Sequence, residues 1–378
     1  MKKTTFIKYQ LIIIFLVLVF LPGMSKIVGL KDFARKDENR RFNDSLTIDI
    51  KKLDKFPSDF NSYVNDNFYF RAPLLGLFHR MKYYAFNISP HPKKTLIGED
   101  GWYFIGGKEI EILKGKLDFS PIVLDSFTNE WKNRIDYFDR KGIPVYWIIA
   151  PMKHTVYTDK LPYNVDHSHG NRITVLTAHL QKYFPDLIIN PLEELRAHKD
   201  KENLYFKLDN HWNTHAGYLT MQLLIEKLRM KFPDKEVVDV PSFHWKGKII
   251  QKGIHYSVLG IDELSEYSES PVMDHPHSRI AEKYGFKGID MFAYPNDFEK
   301  HFVNDSLPNG LRVLIIRDSY GAAVIPFARE IFKESLFIFD AWEYKINKTI
   351  VEQFKPDVVI YLGLETNVDN FIEKHGSE

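Results

Sequence analysis

The chain has 378 residues, of which 44% are hydrophobic and 15% aromatic, so it is long enough to bury a substantial core. Lys and Arg total 51 against 50 Asp and Glu, and this balance gives no electrostatic reason to expect a nucleic-acid partner. The sequence contains no Cys, which excludes disulfides, thiolate metal sites and cysteine nucleophiles.

Residues 1–24 have the pattern of a membrane anchor or an export signal. Three lysines precede an apolar run from Leu11 to Leu21. Positive charge before such a run stays on the cytoplasmic side, so the rest of the chain is predicted to be exported. With Phe6 and Ile7 the run nearly reaches the roughly 20 residues that span a bilayer, and no small-residue cleavage pattern follows it. We expect an uncleaved single-pass anchor, with a cleaved signal peptide as the main alternative.

The remaining chain divides by pattern into a stalk and a main domain. Residues 25–60 are charged and poorly periodic, as in a stalk that leaves a membrane, and residues 61–378 form the predicted domain. Asp100-Gly101 lies between two apolar stretches and predicts a hairpin over 95–104.

An α/β alternation begins near residue 118. Apolar strands are predicted at 144–149, 187–190, 312–316, 336–339 and 358–362, and helices at 120–141, 172–184, 214–232, 322–332 and 346–354. Strands that are apolar on both faces predict a three-layer α/β sandwich with a mainly parallel sheet. Residues 236–305 lose the alternation and are predicted to form an irregular insertion over the sheet edge.

Ser319 directly follows one of these apolar strands, within Arg317-Asp318-Ser319-Tyr320-Gly321. Active sites of open α/β sheets lie at the carboxyl ends of strands, so Ser319 is a candidate nucleophile. Backbone N–H groups at the start of the following helix can stabilise an oxyanion. The alternative is that Ser319 is a helix cap or a turn residue.

Asp209 and His211 are two positions apart, and in extended backbone their side chains point to the same side. Such a pair can act as a general base with its orienting carboxylate. A capped loop with a packed histidine is the alternative. His211, His215 and Asp209 could also suggest a metal site, but Trp212 stands where the helical zinc motif carries Glu, so no metal is expected.

Two further polar residues follow the strand at 144–149, within Pro151-Met152-Lys153-His154-Thr155-Val156-Tyr157. We expect Lys153 and Tyr157 at the rim of the cleft. There they bind a polar or acidic substrate, or else they decorate a loop.

Taken together, these segments resemble a known family. The run Asp209-Asn210-His211-Trp212 is similar to the signature of the DHHW proteins, which are related to alginate O-acetyltransferases of the AlgX and AlgJ type. The further matches, in the family's order, are Tyr63-x-x-Asp66-x-Phe68-x-Phe70-Arg71, Ile97-Gly98-Glu99-Asp100-Gly101-Trp102-Tyr103, Pro151-x-Lys153-x-x-x-Tyr157 and Arg317-Asp318-Ser319-Tyr320-Gly321. The resemblance implies an SGNH-hydrolase-like domain with Ser319 as nucleophile, His211 as base and Asp209 as orienter.

The chain departs from the family pattern at two positions. Asn210 replaces the middle His of the signature, and Arg317 stands where SGNH enzymes often have Gly. Arg317 either crowds the nucleophile turn or places a cation beside a sugar acid or an acyl oxygen. Trp212 and Tyr320, next to the predicted base and nucleophile, complete the expected substrate-binding set.

The resemblance implies an O-acetyltransferase that needs no cofactor and acts on hydroxyls of a cell-surface or exported polysaccharide. It places the chain in the cytoplasmic (inner) membrane with its main domain on the periplasmic side. A multi-pass membrane acyltransferase is the expected source of acetyl groups. An acetylesterase with the same triad and a non-catalytic polysaccharide-binding assembly protein are the alternatives.

Overall fold

The computed structural model describes residues 9–17, 20, 45–48, 53–67, 71–167, 171–286, 298–340 and 343–373. Parts of the predicted anchor (1–24) and most of the predicted stalk (25–60) lie outside these ranges. Residues 9–17 and 20 are helical. Within the described ranges, none of the helices combines the length and the apolar character that a membrane span requires.

The chain divides into two compact units, Met1–Pro92 with Tyr256–Glu263, and Lys93–His255 with Leu264–Glu378. The first unit contains helices α1 (Phe56–Asn67) and α2 (Arg71–Arg80), and α2 continues as a π-helix over Met81–Ala85. Helix α2 contacts the 256–263 segment, because His79 Nδ1 lies 2.8 Å from the carbonyl oxygen of Leu259 and Arg80 pairs with Glu263 at 3.0 Å.

All the strands that the structure describes lie in the second unit. They are β1 (Leu96–Ile97), β2 (Tyr103–Phe104), β3 (Val145–Ala150), β4 (Ile188–Ile189), β5 (Phe243–Ile250), β6 (Glu266–Met273), β7 (Ser278–Ile280), β8 (Glu299–Asn304), β9 (Arg312–Arg317), β10 (Glu334–Phe339) and β11 (Val358–Leu364). β1 and β2 form the predicted hairpin, in which Asp100 (φ 52°) and Gly101 (φ 74°) adopt left-handed conformations. β5 and β6 form a second antiparallel hairpin.

The helices that follow α2 are α3 (Lys108–Leu113), α4 (Pro121–Asp139), α5 (Lys153–Val156), α6 (Arg172–Leu180), α7 (Leu192–His198), α8 (Thr214–Lys231), α9 (Ile254–Leu259), α10 (Ile325–Ile331), α11 (Lys348–Phe354) and α12 (Asn370–Glu373). The longest two begin at side-chain caps. The Ser120 hydroxyl accepts from the backbone N–H of Val123 at α4, and Asn213 accepts from His215 and Ala216 at α8.

The main sheet has seven strands in the order β4-β3-β11-β9-β10-β8-β7. The five strands from β4 to β10 are parallel, whereas β8 and β7 extend one edge in antiparallel orientation. The sheet is therefore mixed but mainly parallel, as predicted, and the antiparallel edge is the part that the sequence analysis did not anticipate. Charged or polar residues (Glu299, Lys300, His301 and Asn304) occupy four of the six positions of β8, so a search for apolar runs does not detect it.

Apolar residues cover both faces of the sheet. Alternate residues of β3, β9 and β11 enter two separate hydrophobic clusters. One cluster contains Leu224 and Leu228 of α8, and the other contains Phe127 and Trp131 of α4. Because β9 lies inside the sheet with β10 and β11 beside it, the residue that follows it emerges at a fixed place on the carboxyl edge.

Candidate active site

Ser319 lies directly beyond the carboxyl end of β9. It begins a 3₁₀-helix (Ser319–Ala323) that is capped by the side chain of Asp318, and Ser319 itself is exposed. The turn is closely packed, because a Cβ added at Gly321 would lie 2.7 Å from the Cβ of Arg317. The sequence therefore places a hydroxyl at the sheet edge on a rigid support.

Asp209 and His211 lie in a bent loop between Tyr205 and Trp212, which form an isolated antiparallel bridge. His211 Nε2 is 2.8 Å from Ser319 Oγ, and His211 Nδ1 is 2.5 Å from Asp209 Oδ1. Asp209 also accepts the backbone N–H groups of His211 at 3.0 Å and of Ile254 at 3.0 Å. The structure thus aligns carboxylate, imidazole and hydroxyl in hydrogen-bond contact, although Ser319 and His211 are 108 positions apart.

The environment keeps Asp209 ionised. Burial alone would raise the pKa of its carboxyl, but the hydrogen bonds and charge of His211 and the N–H of Ile254 together lower that pKa below its ordinary range. The Asp209 side chain is 24% exposed and that of His211 36%, so the imidazole remains accessible from the solvent side. A carboxylate on Nδ1 favours the tautomer in which Nε2 can accept a proton from a hydroxyl.

Asp318 is a structural component of the site that the sequence analysis did not single out. Its side chain is buried and accepts four hydrogen bonds, from Tyr320 N, Tyr344 Oη, Leu364 N and Asn367 Nδ2, at 2.7 to 3.1 Å. It thereby joins the nucleophile turn to the end of β11. The available signal was a carboxylate between an apolar strand and a candidate nucleophile, a position where burial requires several donors.

Trp212, Tyr320 and Arg317, expected to contact substrate, are all buried. Trp212 Nε1 donates to the carbonyl oxygen of Tyr320 at 2.7 Å, and the Tyr320 hydroxyl donates to the carbonyl oxygen of Asn210 at 2.7 Å. Arg317 is the last residue of β9 and is paired with β10 on one side and β11 on the other. Its guanidinium donates to the carbonyl oxygen of Asp318 and lies over the ring of Phe339. These three buried side chains pack against the loops of the site and are not exposed to a substrate.

The predicted rim position of Lys153 and Tyr157 is wrong, because both side chains are buried. The Tyr157 hydroxyl accepts the backbone N–H of Leu204 at 2.9 Å, its ring stacks on Trp102 at 4.0 Å, and burial raises its pKa above the ordinary range. Among the described residues, the Lys153 ammonium hydrogen-bonds to four backbone carbonyl oxygens. Their contacts fill the interior beneath the site.

His215, considered as a metal ligand with His211, serves a different contact. Its ring stacks on Trp245 of β5 at 3.7 Å, and its nitrogens face Glu202 and Glu269 at 2.5 and 3.1 Å. Among the residues that the structure describes, no group of three His, Cys, Asp or Glu side chains is arranged to hold a metal ion. His215 instead connects the start of α8 to the β5–β6 hairpin.

Residues 95–277 match the family model described as "SGNH hydrolase-like domain, acetyltransferase AlgX". This segment is similar to the SGNH hydrolase-like domain of AlgX-type acetyltransferases. The resemblance seen in the sequence is thereby confirmed, and the matched residues include Asp209 and His211. Ser319 lies beyond the match, so its place in the site rests on the geometry.

The chain is similar to several solved structures at low identity. PatB1 from Bacillus cereus, solved with a sulfonyl adduct, is 15% identical with a TM-score of 0.51, and the alignment covers 72% of this chain and 96% of that one. A DHHW family protein from Eubacterium siraeum is 15% identical (TM-score 0.48; 72% and 93% covered), as is the O-acetyltransferase domain of Pseudomonas putida AlgJ (TM-score 0.44; 72% and 91%). No curated protein sequence matches this chain significantly. At this identity the PatB1 comparison establishes the fold alone.

Proposed function

We propose that this chain is an O-acetyltransferase in which Ser319, His211 and Asp209 form a catalytic triad. The single observation that supports the proposal most is the continuous contact from Asp209 Oδ1 through the imidazole of His211 to Ser319 Oγ, at 2.5 and 2.8 Å. The acetyltransferase domain type of residues 95–277 supports the choice of acyl group. The proposed acceptor is a hydroxyl of a cell-surface or exported polysaccharide.

The proposed reaction has two steps with one acetyl-serine intermediate. Ser319 Oγ attacks the carbonyl carbon of an acetyl donor while His211 Nε2 takes the hydroxyl proton, and Asp209 stabilises the resulting imidazolium. The tetrahedral intermediate expels the donor's leaving group, which takes the proton from His211. In the second step His211 removes the proton of a sugar hydroxyl, that oxygen attacks the acetyl carbon, and Ser319 Oγ leaves with the proton.

Stabilisation of the oxyanion requires an N–H donor at the nucleophile. The N–H groups of Tyr320 and Gly321, at the start of the 3₁₀-helix, both donate to Asp318 and are therefore already engaged. Within the described part of the chain, the N–H of Ser319 makes no hydrogen bond to another residue. We assign this group as the candidate oxyanion donor.

Hydrolysis is a second candidate function, because Ser319 is exposed and water can approach an acetyl-serine there. An acetylesterase would use the same three residues with water in place of the sugar hydroxyl. Transfer and hydrolysis therefore differ in the acceptor and share the first step.

The test incubates the full-length protein in detergent with a chromogenic acetyl ester and a panel of oligosaccharides. Acetylated sugar supports transfer, whereas free acetate alone supports the esterase. Intact mass after a sulfonyl fluoride should show one adduct in the wild type and none in Ser319→Ala. Ser126→Ala is the control, because Ser126 is an exposed hydroxyl on α4 that bonds only within its helix. Equal activity of Ser319→Ala and wild type would exclude the triad.

We further propose that the 1–24 segment holds the chain in the cytoplasmic (inner) membrane and that the domain acts on the periplasmic side. The support is the charge pattern of the sequence, in which lysines precede the apolar run. A multi-pass membrane acyltransferase would then supply acetyl groups. An alkaline phosphatase fusion at the C-terminus should be active only after export, and an inactive, cytoplasmic fusion would contradict this placement.

A further inference from the structure

Lys153 is a buried cation that hydrogen-bonds to backbone carbonyl oxygens and lies over the rings of Trp102 and Phe104. It is 1% exposed at the start of α5. Its Nζ lies 2.6 Å from the carbonyl oxygen of Tyr103, 2.8 Å from that of Phe206, 3.1 Å from that of Lys207 and 2.7 Å from that of Asp209. Three of these four acceptors belong to the short segment 206–209, which ends at the carboxylate facing His211.

The cation is costly to bury, so the contacts around it must compensate. Burial lowers the pKa of Lys153 to about 7. An ammonium group has three N–H donors to share among four carbonyl oxygens, whereas a neutral amine has only two. The four short contacts therefore correspond to the protonated side chain, which acts as a cross-link among four points of the backbone.

The 206–209 segment is also held on its N–H side. Glu266 of β6 accepts the backbone N–H groups of Lys207 at 2.5 Å and Leu208 at 3.1 Å. A Cβ added at Gly253 would lie 2.3 Å from the carbonyl oxygen of Leu208, so the backbone that follows β5 is packed directly against the segment. Lys153 thus binds carbonyl oxygens of segment 206–209, and Glu266 binds N–H groups of the same segment.

We propose that Lys153 is a positioning residue, which holds segment 206–209 so that the Asp209 carboxylate stays aimed at the His211 ring. This inference rests on the proposed triad and extends it to a residue that touches no reacting atom. Asp209 Oδ1 accepts from both the backbone and the ring of His211, so a shift of the Asp209 backbone displaces both contacts together. A displacement of about 1 Å at such a group lowers turnover by roughly 100-fold.

The first measurement compares Lys153→Ala with Lys333→Met in the full-length protein. Lys333 is the matched control, because its Nζ also donates to a backbone carbonyl, that of Pro308, but at an exposed turn. We expect Lys153→Ala to lower kcat about 100-fold with KM within about twofold, and Lys333→Met to leave both unchanged. A folded Lys153→Ala protein with kcat within threefold of wild type would overturn the proposal.

Chemical rescue tests the position of the charge directly. Lys153→Ala removes the atoms that n-propylammonium contains, so this ion should restore kcat at least tenfold. Tetramethylammonium carries the same charge without an N–H donor and should restore nothing. Equal effects of the two ions would show that the four carbonyl contacts are irrelevant to turnover.

A spectroscopic measurement separates this inference from the proposed function. The short Asp209–His211 contact should give a far-downfield proton resonance that is present in wild type, lost in Asp209→Asn and weakened or lost in Lys153→Ala. This readout needs no activity, so failure of the acetyl-transfer assay leaves it intact. If Lys153→Ala does not fold, Glu266→Gln loosens the same segment from its N–H side. It should lower kcat about tenfold and weaken the resonance. If both kcat and the resonance were unchanged, the proposal that segment 206–209 positions Asp209 would be overturned.

Discussion

Asp209→Asn is the most direct perturbation of the proposed triad, because the change keeps the size of the side chain. The wild-type carboxylate accepts three N–H groups, two from His211 and one from Ile254. An amide has one oxygen, so one orientation sets its NH₂ against the N–H of Ile254. The other orientation points the amide NH₂ at His211 Nδ1, so that Nδ1 must accept a hydrogen bond and the ring proton moves to Nε2. A protonated Nε2 cannot accept the proton of Ser319. Either arrangement lowers kcat by about 10³- to 10⁴-fold, or about 4 to 5.5 kcal/mol.

The assay is stopped-flow release of the leaving group from a chromogenic acetyl ester, which reports acylation of Ser319 directly. Asp274→Asn is the matched control. Asp274 Oδ1 contacts His244 Nδ1 at 2.9 Å in an exposed pair on the β5–β6 hairpin, so it repeats the chemistry without the nucleophile. We expect its rate within twofold of wild type. A folded Asp209→Asn protein that keeps more than a tenth of the acylation rate would refute the role given to the carboxylate.

Three further predictions concern the support of the site. Gly217→Ala places a Cβ 2.3 Å from the carbonyl oxygen of Ala323, in the 3₁₀-helix that carries the nucleophile, and should lower both the melting temperature and kcat. The control Gly76→Ala, which has open space around the added Cβ, should be neutral or slightly stabilising. Burial raises the pKa of Glu365 from 4.5 to about 7, so between these pH values the folded state keeps a proton that the unfolded state loses. The free energy of unfolding therefore falls by about 3 kcal/mol as the pH rises from 4.5 to 7. Urea titrations should show this decline in wild type and not in Glu365→Gln. Tyr320→Phe leaves the half-buried carbonyl of Asn210 without its 2.7 Å donor and should cost about 1 kcal/mol of unfolding free energy. An unchanged urea midpoint would contradict that prediction.

The pairing of Asp209 with His211 was predicted from the sequence, but the backbone that produces it was not. Extended backbone places residues two apart on one side, whereas the structure has a bend in which Asp209 Oδ1 also accepts the N–H of His211. A carboxylate that bonds the backbone two residues ahead is a common property of Asp in turns. The two geometries give the same side-chain contact, so the correct pair followed from an incorrect conformation.

The burial of Lys153 could not be predicted from its local sequence. A lysine directly after an apolar strand is ordinarily solvated, and the acceptors that make its burial tolerable come from residues about 50 positions away on both sides. In the same way, β8 contributes to the sheet through pairing with β10 and not through apolar character of its own. Both features depend on contacts that exist only after the chain has folded.

The order of the triad residues along the chain has little influence on the site, because the loop with Asp209 and His211 and the turn with Ser319 are hydrogen-bonded to each other. The side chain of Trp212 donates to the backbone of Tyr320, and the side chain of Tyr320 donates to the backbone of Asn210. Each loop therefore supplies a buried aromatic donor to the other loop's carbonyl, directly beside the His211–Ser319 contact. With the close approach of Gly217 to Ala323, three contacts fix the distance between base and hydroxyl. The positions that sequence analysis assigned to substrate instead determine the 2.8 Å separation on which the proposed chemistry depends.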